Sequence, residues 1–262
     1  MTVPPLWSPD SVRVDRLEPS PNHGPRKAAI DMLVLHYTGM QSASAAVDLL
    51  RDPASEVSCH YVVFEDGAIL QMVPEARRAW HAGVSSWEGI SDTNSRSIGI
   101  EIVNPGHAYG YPAFPDRQIA AVVELGRDIL ARHAIRADRV LAHSDVAPLR
   151  KDDPGEKFPW PVLHQAGIGH LVRETPLSGG RFLMRGDAGA PVEALQSMLA
   201  LYGYGVALTG QYDDATEAVV RAFQRHFRRA RVDGVADHST ILTLRNLIAA
   251  RPSDAIAPRE GT

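Results

Sequence analysis

Cysteine is almost absent from this chain, with Cys59 the single one among 262 residues. One thiol excludes an intramolecular disulfide and any cysteine-built metal cluster, and beside Val57 and Tyr61 it reads as an ordinary half-buried strand residue. Long apolar runs are missing as well. Nowhere do about 18 apolar residues follow one another, as a membrane-crossing helix requires. The stretch Met1-Thr2-Val3-Pro4-Pro5-Leu6-Trp7-Ser8-Pro9 has neither the basic head nor the apolar core of an export signal, so a cytoplasmic location is expected, with periplasm or cell envelope as the alternative. Charge of one sign is not in excess either: 27 Lys and Arg face 31 Asp and Glu, and a net charge of −4 excludes a global field that draws nucleic acid or anionic membrane. His-Glu-x-x-His and Cys-x-x-Cys, the commonest zinc signatures, do not occur. What is present is a 44% hydrophobic content, ample for the core of one large domain or of a medium and a small one.

Residues 1 to 28 are rich in Pro, Ser and Arg without periodicity, which predicts an irregular or partly mobile arm. Ile30 to Thr38 is apolar on both alternating faces, as a strand covered on both sides of a sheet would be. Ser42 to Leu50 has helical spacing with Ala46, Leu49 and Leu50 on one side, and Cys59–Phe64 and Ala68–Val73 flank an Asp66-Gly67 turn as a hairpin. Ser97 to Val103 is a further strand. Phe114-Pro115-Asp116 offers an N-cap for a helix whose stripe is Ile119, Val122, Val123, Ile129 and Leu130, and Arg139 to His143 is a last short strand. Strands interleaved with helices predict an α/β domain with a mixed central sheet flanked by helices over 29–172. A Ser-Gly-Gly run marks a flexible linker over 173–180. Apolar stripes at Val192, Leu195 and Leu199, then Val219, Ala222 and Phe223, then Ile241, Leu244 and Leu247 predict a small all-α three-helix domain over 181–250, and 251–262 reads as a disordered tail.

Chemistry concentrates at strand ends and in one turn. His36 closes the first strong strand, while His143-Ser144-Asp145-Val146-Ala147-Pro148 runs into Lys151-Asp152-Asp153-Pro154-Gly155. His36, His143 and Asp153 could meet above one edge of a sheet, where open α/β sheets place ligands, and two neutral imidazoles with a carboxylate leave a bound Zn²⁺ positive enough to activate water. Taken singly, each of the eleven histidines is more often a packed or surface residue than a ligand. Alternation along Ser97 to Val103 puts Ile98, Ile100 and Ile102 on one face and Gly99, Glu101 and Val103 on the other, so Glu101 is the one charge of an apolar strand, functional or paired with a buried Arg. Trp80-His81-Ala82-Gly83 has the make-up of a cleft loop or of a buried loop anchor. His60, inside a strand, reads as structural.

His36-Tyr37-Thr38, Trp80-His81-Ala82-Gly83, Ser97-Ile98-Gly99-Ile100-Glu101 and the His143 to Gly155 segment, in this order, resemble the zinc-dependent N-acetylmuramoyl-L-alanine amidases of the type-2 amidase family, whose fold phage amidase lysozymes and animal peptidoglycan recognition proteins share. The resemblance covers about residues 28–170 and leans to the bacterial branch that cleaves anhydro- and ordinary muropeptides. It implies that His36, His143 and Asp153 hold Zn²⁺, that Glu101 is the acid/base group, and that Lys151 is the cation beside the reacting carbonyl. Tyr37, Trp80, His81 and Asn94 are then substrate-contact candidates, Asp152 is a solvated neighbour, and Asp145 caps a turn. The bond cut would be the amide between muramic acid and L-alanine of the stem peptide, in peptidoglycan turnover or recycling. A recognition protein of the same fold that binds without hydrolysis is the competing reading.

Residues 181–250 resemble the three-helix peptidoglycan-binding module often appended to wall hydrolases, through Leu183-Met184-Arg185-Gly186-Asp187, Leu195-Gln196, Gly203-Tyr204, Gly210-Gln211-Tyr212, Phe223-Gln224 and Asp233-Gly234-Val235. It departs from that pattern at Asp213-Asp214, where the family has a glycine, and in the run Arg225-His226-Phe227-Arg228-Arg229-Ala230-Arg231. The run reads as a solvated helix end, and nucleic acid is not an expected partner because no aromatics beyond Phe227 interleave with it.

Overall fold

The computed structural model describes residues 7–180 and 182–251. A six-stranded sheet runs in the order β1 (Arg16–Leu17), β5 (Ile69–Gln71), β4 (Tyr61–Val63), β7 (Ser97–Ile102), β3 (Met32–Tyr37), β8 (Val140–Ala142). All neighbours are parallel except the β4–β5 hairpin, whose turn carries Gly67 at φ 89. A small ribbon pairs β2 (His23–Pro25) with β6 (Arg77–Ala79). The helices are α1 (Ala43–Arg51), α2 (Thr93–Arg96), α3 (Asp116–Arg132), α4 (His143–Val146), α5 (Trp160–Gln165), α6 (Ala190–Tyr202), α7 (Asp214–Phe227) and α8 (His238–Ala249). The mixed sheet with flanking helices and the three C-terminal helices match the expected fold class.

Alternation decides what covers the sheet. Leu33, Leu35, Ile98, Ile100 and Ile102 point to one face and bury against Ile119, Val122 and Ile129 of α3. The other face is divided. Val62, Leu70 and Met72 pack under Val47 and Leu50 of α1, while Met32, Val34, Leu141 and Val146 join one cluster with Val192, Leu199, Tyr202, Phe223 and Leu244 of the C-terminal helices. Burying side chains of this size stabilises by roughly 1.5–3 kcal/mol each, so the C-terminal helices are a structural cover of the sheet. His36 and Glu101 continue this divided face, side by side in the β3–β7 register. The C-terminal ends of the central strands therefore open between α1 and the C-terminal helices.

Several elements depart from the sequence reading. The arm is ordered where it is described: Arg16–Leu17 pairs with β5 and His23–Pro25 with β6, strands too short to show periodicity. Cys59 is fully buried rather than half-buried. In α1 the buried stripe is Ala46, Val47 and Leu50, with Leu50 four and three residues on from the other two, and Leu49 is 43% exposed. Ser42 caps that helix, its side chain accepting from the Ala45 N–H. Asp116 is the first residue of α3 rather than its cap, where its carboxylate suits the positive end of the helix dipole. The last strand stops at Ala142, because the Asp145 carboxylate accepts the Ala142 N–H at 2.8 Å and turns the chain into α4, so His143 opens a helix. Thr175, placed in the flexible linker, donates its N–H to Thr243 Oγ1 at 3.0 Å and accepts from Ser239 Oγ. The tail expected over 251–262 lies, beyond Arg251, outside the described residues. Among the described residues no helix is long and apolar enough to cross a membrane.

Candidate metal centre and active site

Three potential ligand atoms converge at the C-terminal end of β3. His36 Nδ1 and His143 Nδ1 are 2.9 Å apart, and Asp153 Oδ2 is 3.2 Å from the first and 3.0 Å from the second. All three residues are buried, and they form the group of described His, Cys, Asp and Glu residues able to hold a metal ion. Each arrives by a different route. His36 is the penultimate residue of β3, His143 begins α4 directly after β8, and Asp153 stands in the turn that folds back so that Ser144 donates its N–H to the Asp153 carbonyl at 3.0 Å.

The surrounding hydrogen bonds decide which nitrogens carry protons. Ser97 Oγ donates to the Thr93 carbonyl at 2.7 Å, so it accepts from His81 Nε2 at 3.0 Å. His81 Nδ1 is then an acceptor and takes the proton of His36 Nε2 at 3.0 Å. On the other side His143 Nε2 faces the Ala82 carbonyl at 3.3 Å. Both Nδ1 atoms are left with lone pairs aimed at the Asp153 carboxylate and at each other. Two lone pairs and an anion cannot satisfy one another as hydrogen bonds, but they are the donor set of a cation. Ligands of a tetrahedral zinc at ~2.0–2.1 Å stand roughly 3.3 Å apart, close to the spacing seen, so these residues fit the ion.

Electrostatics agree with that assignment. Burial first, and then the neighbouring His143, hold His36 down to about 4, so it is a neutral imidazole at pH 7. Burial would raise the Asp153 carboxyl, yet positive charge or a proton on the facing His143 and His36 imidazoles outweighs it and holds the group well below the usual carboxylate range, so this oxygen favours a cation set between it and the two rings. His81 is pushed well down by burial, with the adjacent His36 and His60 adding to the effect.

Glu101 shares the cleft, and its Oε2 is buried with no hydrogen-bond partner. Burial, reinforced by the nearby Asp153 charge, pushes this carboxyl well above its ordinary value, against the opposing pull of Lys151. No buried arginine pairs with Glu101 among the described residues, so the structural explanation left open by the sequence finds no support. The cleft measures about 400 Å³, and its lining includes the polar Glu101, Lys151, His143 and Asp153 together with the apolar Leu49, Leu50 and Val57. An adjoining hollow of about 390 Å³ shares Trp80, His81 and Lys151 with it.

Of the residues expected to touch substrate, Tyr37 and Trp80 line the cleft half-buried, the hydroxyl of Tyr37 lying 3.0 Å from His107 Nδ1. His81 borders the cleft but spends both ring nitrogens on His36 and Ser97. Asn94 is buried, and its Oδ1 accepts the N–H groups of His81 and Ala82 at 3.1 and 2.8 Å, fixing the loop that holds His143. His60 is structural as expected, its Nδ1 accepting the Gly99 N–H at 3.0 Å. Sequence reasoning missed Ser97 and Arg150. Ser97 begins the Glu101 motif, and the Arg150 guanidinium donates to the Ala82 carbonyl at 3.1 Å, tying the Asp153 turn to the Trp80 loop.

An α/β sheet that ends in two histidines and a carboxylate, beside a glutamate whose buried Oε2 has no hydrogen-bond partner, has the make-up of a mononuclear metallohydrolase. The chain belongs to the N-acetylmuramoyl-L-alanine amidase family, whose model matches residues 26–156, and residues 188–244 match the family described as "Putative peptidoglycan binding domain". The N-acetylmuramoyl-L-alanine amidase AmiD of Escherichia coli K12 is 38% identical over 226 residues, covering 80% of this chain and 79% of that protein. The solved complex of E. coli AmiD with anhydro-N-acetylmuramic acid-L-Ala-D-γ-Glu-L-Lys superposes with a TM-score of 0.72 at 36% identity, over 84% of this chain and 89% of that one. AmpDh3 of Pseudomonas aeruginosa gives 0.69 at 32% identity, over 86% and 93%.

Proposed function

We propose that this chain hydrolyses the amide between N-acetylmuramic or anhydro-N-acetylmuramic acid and L-alanine of the stem peptide, with Zn²⁺ held by His36, His143 and Asp153. The observation that carries the reading is the convergence of three deprotonated ligand atoms beside the partnerless Oε2 of Glu101. When bound, the ion supplies Lewis acidity and makes water nucleophilic near neutral pH.

The remaining steps belong to the chain's own groups. Glu101, with no partner of its own, takes the proton of the attacking water and returns it to the departing alanine nitrogen. Lys151, in the same cleft, offsets the charge that develops on the carbonyl oxygen. Trp80 and Tyr37 present aromatic surface to the sugar or the peptide.

The test is mass spectrometry of purified muropeptides, anhydro and reduced, after incubation with zinc-loaded and chelator-stripped protein. Release of free stem peptide by the loaded sample alone is expected. Intact muropeptides in both samples would overturn hydrolysis and favour a recognition protein.

A further inference from the structure

The arginine-rich run at the end of α7 is not a free solvated end. Arg225 Nη2 pairs with Asp152 Oδ1 at 2.7 Å, Arg229 Nη1 donates to the Phe158 carbonyl at 3.1 Å, and His226 lies wholly buried. The imidazole of His226 stacks on Trp160 at 3.7 Å between ring centres, and its Nδ1 meets Asp145 Oδ2 at 2.7 Å. The other carboxylate oxygen of Asp145 accepts the hydroxyl of Tyr204 at 2.7 Å. Asp145 Oδ2 also accepts the Ala142 N–H, the bond that starts α4 and so aims His143.

We infer that the C-terminal helices form part of the catalytic machinery, as a clamp in which Tyr204 and His226 are positioning residues for His143. Asp145 cannot hold Ala142 in that geometry and stay satisfied by itself, because a fully buried carboxylate left without donors is costly. Its donors come from the C-terminal helices and the loop after α6, about 60 to 80 residues along the chain. Arg225 adds a weaker hold on the same turn, since its partner Asp152 is half exposed. This reading rests on the proposed zinc site, toward which the clamp acts.

Tyr204→Phe removes one hydroxyl and keeps the ring in its aromatic cluster. Tyr212→Phe is the control, deleting an equally buried hydroxyl whose acceptor, the Gly234 carbonyl, is 2.6 Å away in the loop between α7 and α8. Zn²⁺ affinity of the full chain is measured by competition with a chromophoric chelator, alongside Tm and amide hydrogen exchange over residues 142–153. The clamp predicts that both variants lower Tm, that Tyr204→Phe alone weakens Zn²⁺ binding, by about 10-fold as supporting groups behind ligands do, and that it alone speeds exchange over 142–153. Equal Zn²⁺ affinity and equal exchange in the two variants would overturn it. If wild type binds no Zn²⁺, or binds it equally well after His36→Ala, the metal reading fails and exchange decides the clamp alone: unchanged exchange in Tyr204→Phe overturns it.

Discussion

Gly99 and His81 compete for one volume: a Cβ on Gly99 would lie 2.5 Å from Cγ of the His81 ring, inside any van der Waals contact. The glycine lets an imidazole lie flat on β7, and that imidazole fixes the proton on His36. Gly99→Ala should displace His81 and weaken Zn²⁺ binding about 10- to 100-fold, with the sheet intact. Chelator competition with a far-ultraviolet dichroism control checks it, and unchanged affinity would show that His81 does not support His36.

The two adjacent aspartates should behave oppositely. Asp153→Ala removes a ligand atom and should abolish zinc uptake, whereas Asp152→Ala removes a half-exposed carboxylate and should leave zinc content near one per chain. Metal analysis of both purified variants decides, and swapped losses would reverse the ligand assignment.

Glu101→Gln should keep zinc and fold while turnover falls by about 100- to 10,000-fold, the range for removing a general acid–base group. Lys151→Ala should cost about 100- to 1,000-fold, as for one donor to a developing oxyanion. Rates on a purified muropeptide, normalised to bound zinc, measure both. A wild-type rate would remove the residue concerned from the mechanism.

Away from the site, Glu75 is a stability element. It accepts from Tyr61 Oη at 2.6 Å, Arg132 Nη2 at 2.7 Å and His133 Nε2 at 2.7 Å. Burial would raise its carboxyl, but the Arg132, Tyr61 and His133 donors lower it below the ordinary value. A depressed carboxylate contributes stability that is present above its unfolded value and is lost as pH falls through its folded one. Glu75→Gln should therefore cost about 3 kcal/mol at pH 7 and flatten the loss of stability in acid. Urea denaturation across pH 7 to 3 tests this, and parallel curves for the two proteins would refute it.

The sequence made the centre of the molecule legible and its supports obscure. β3 and α3 declare themselves because their apolar spacing is strong, and the ligand set stands in compact motifs at His36 and His143 to Gly155. Local patterning could not show that Tyr204 and His226 meet Asp145, since those bonds span 59 and 81 residues. Nor could it show β1 and β2, whose two and three residues carry no period. The arginine run misled for the same reason: charge at a helix end looks solvated until its carboxylate and carbonyl partners arrive from elsewhere. Asp213, an apparent departure from the module pattern, proved to be the cap of α7, accepting the Thr216 N–H at 2.8 Å.

The shared cluster of Met32, Val34 and Leu141 with Val192, Tyr202 and Phe223 bears on how such a protein can be divided or recombined. Arg251, at the far end of α8, reaches back to Glu88 and Asp138 and closes the same joint from its rim. A chain cut before α6 would present a bare apolar sheet face to water, and such faces drive association. The C-terminal three-helix unit is therefore not a detachable cargo: any shuffled replacement would have to supply Tyr204, His226 and an apolar lid of matching relief before it supplied a ligand site of its own.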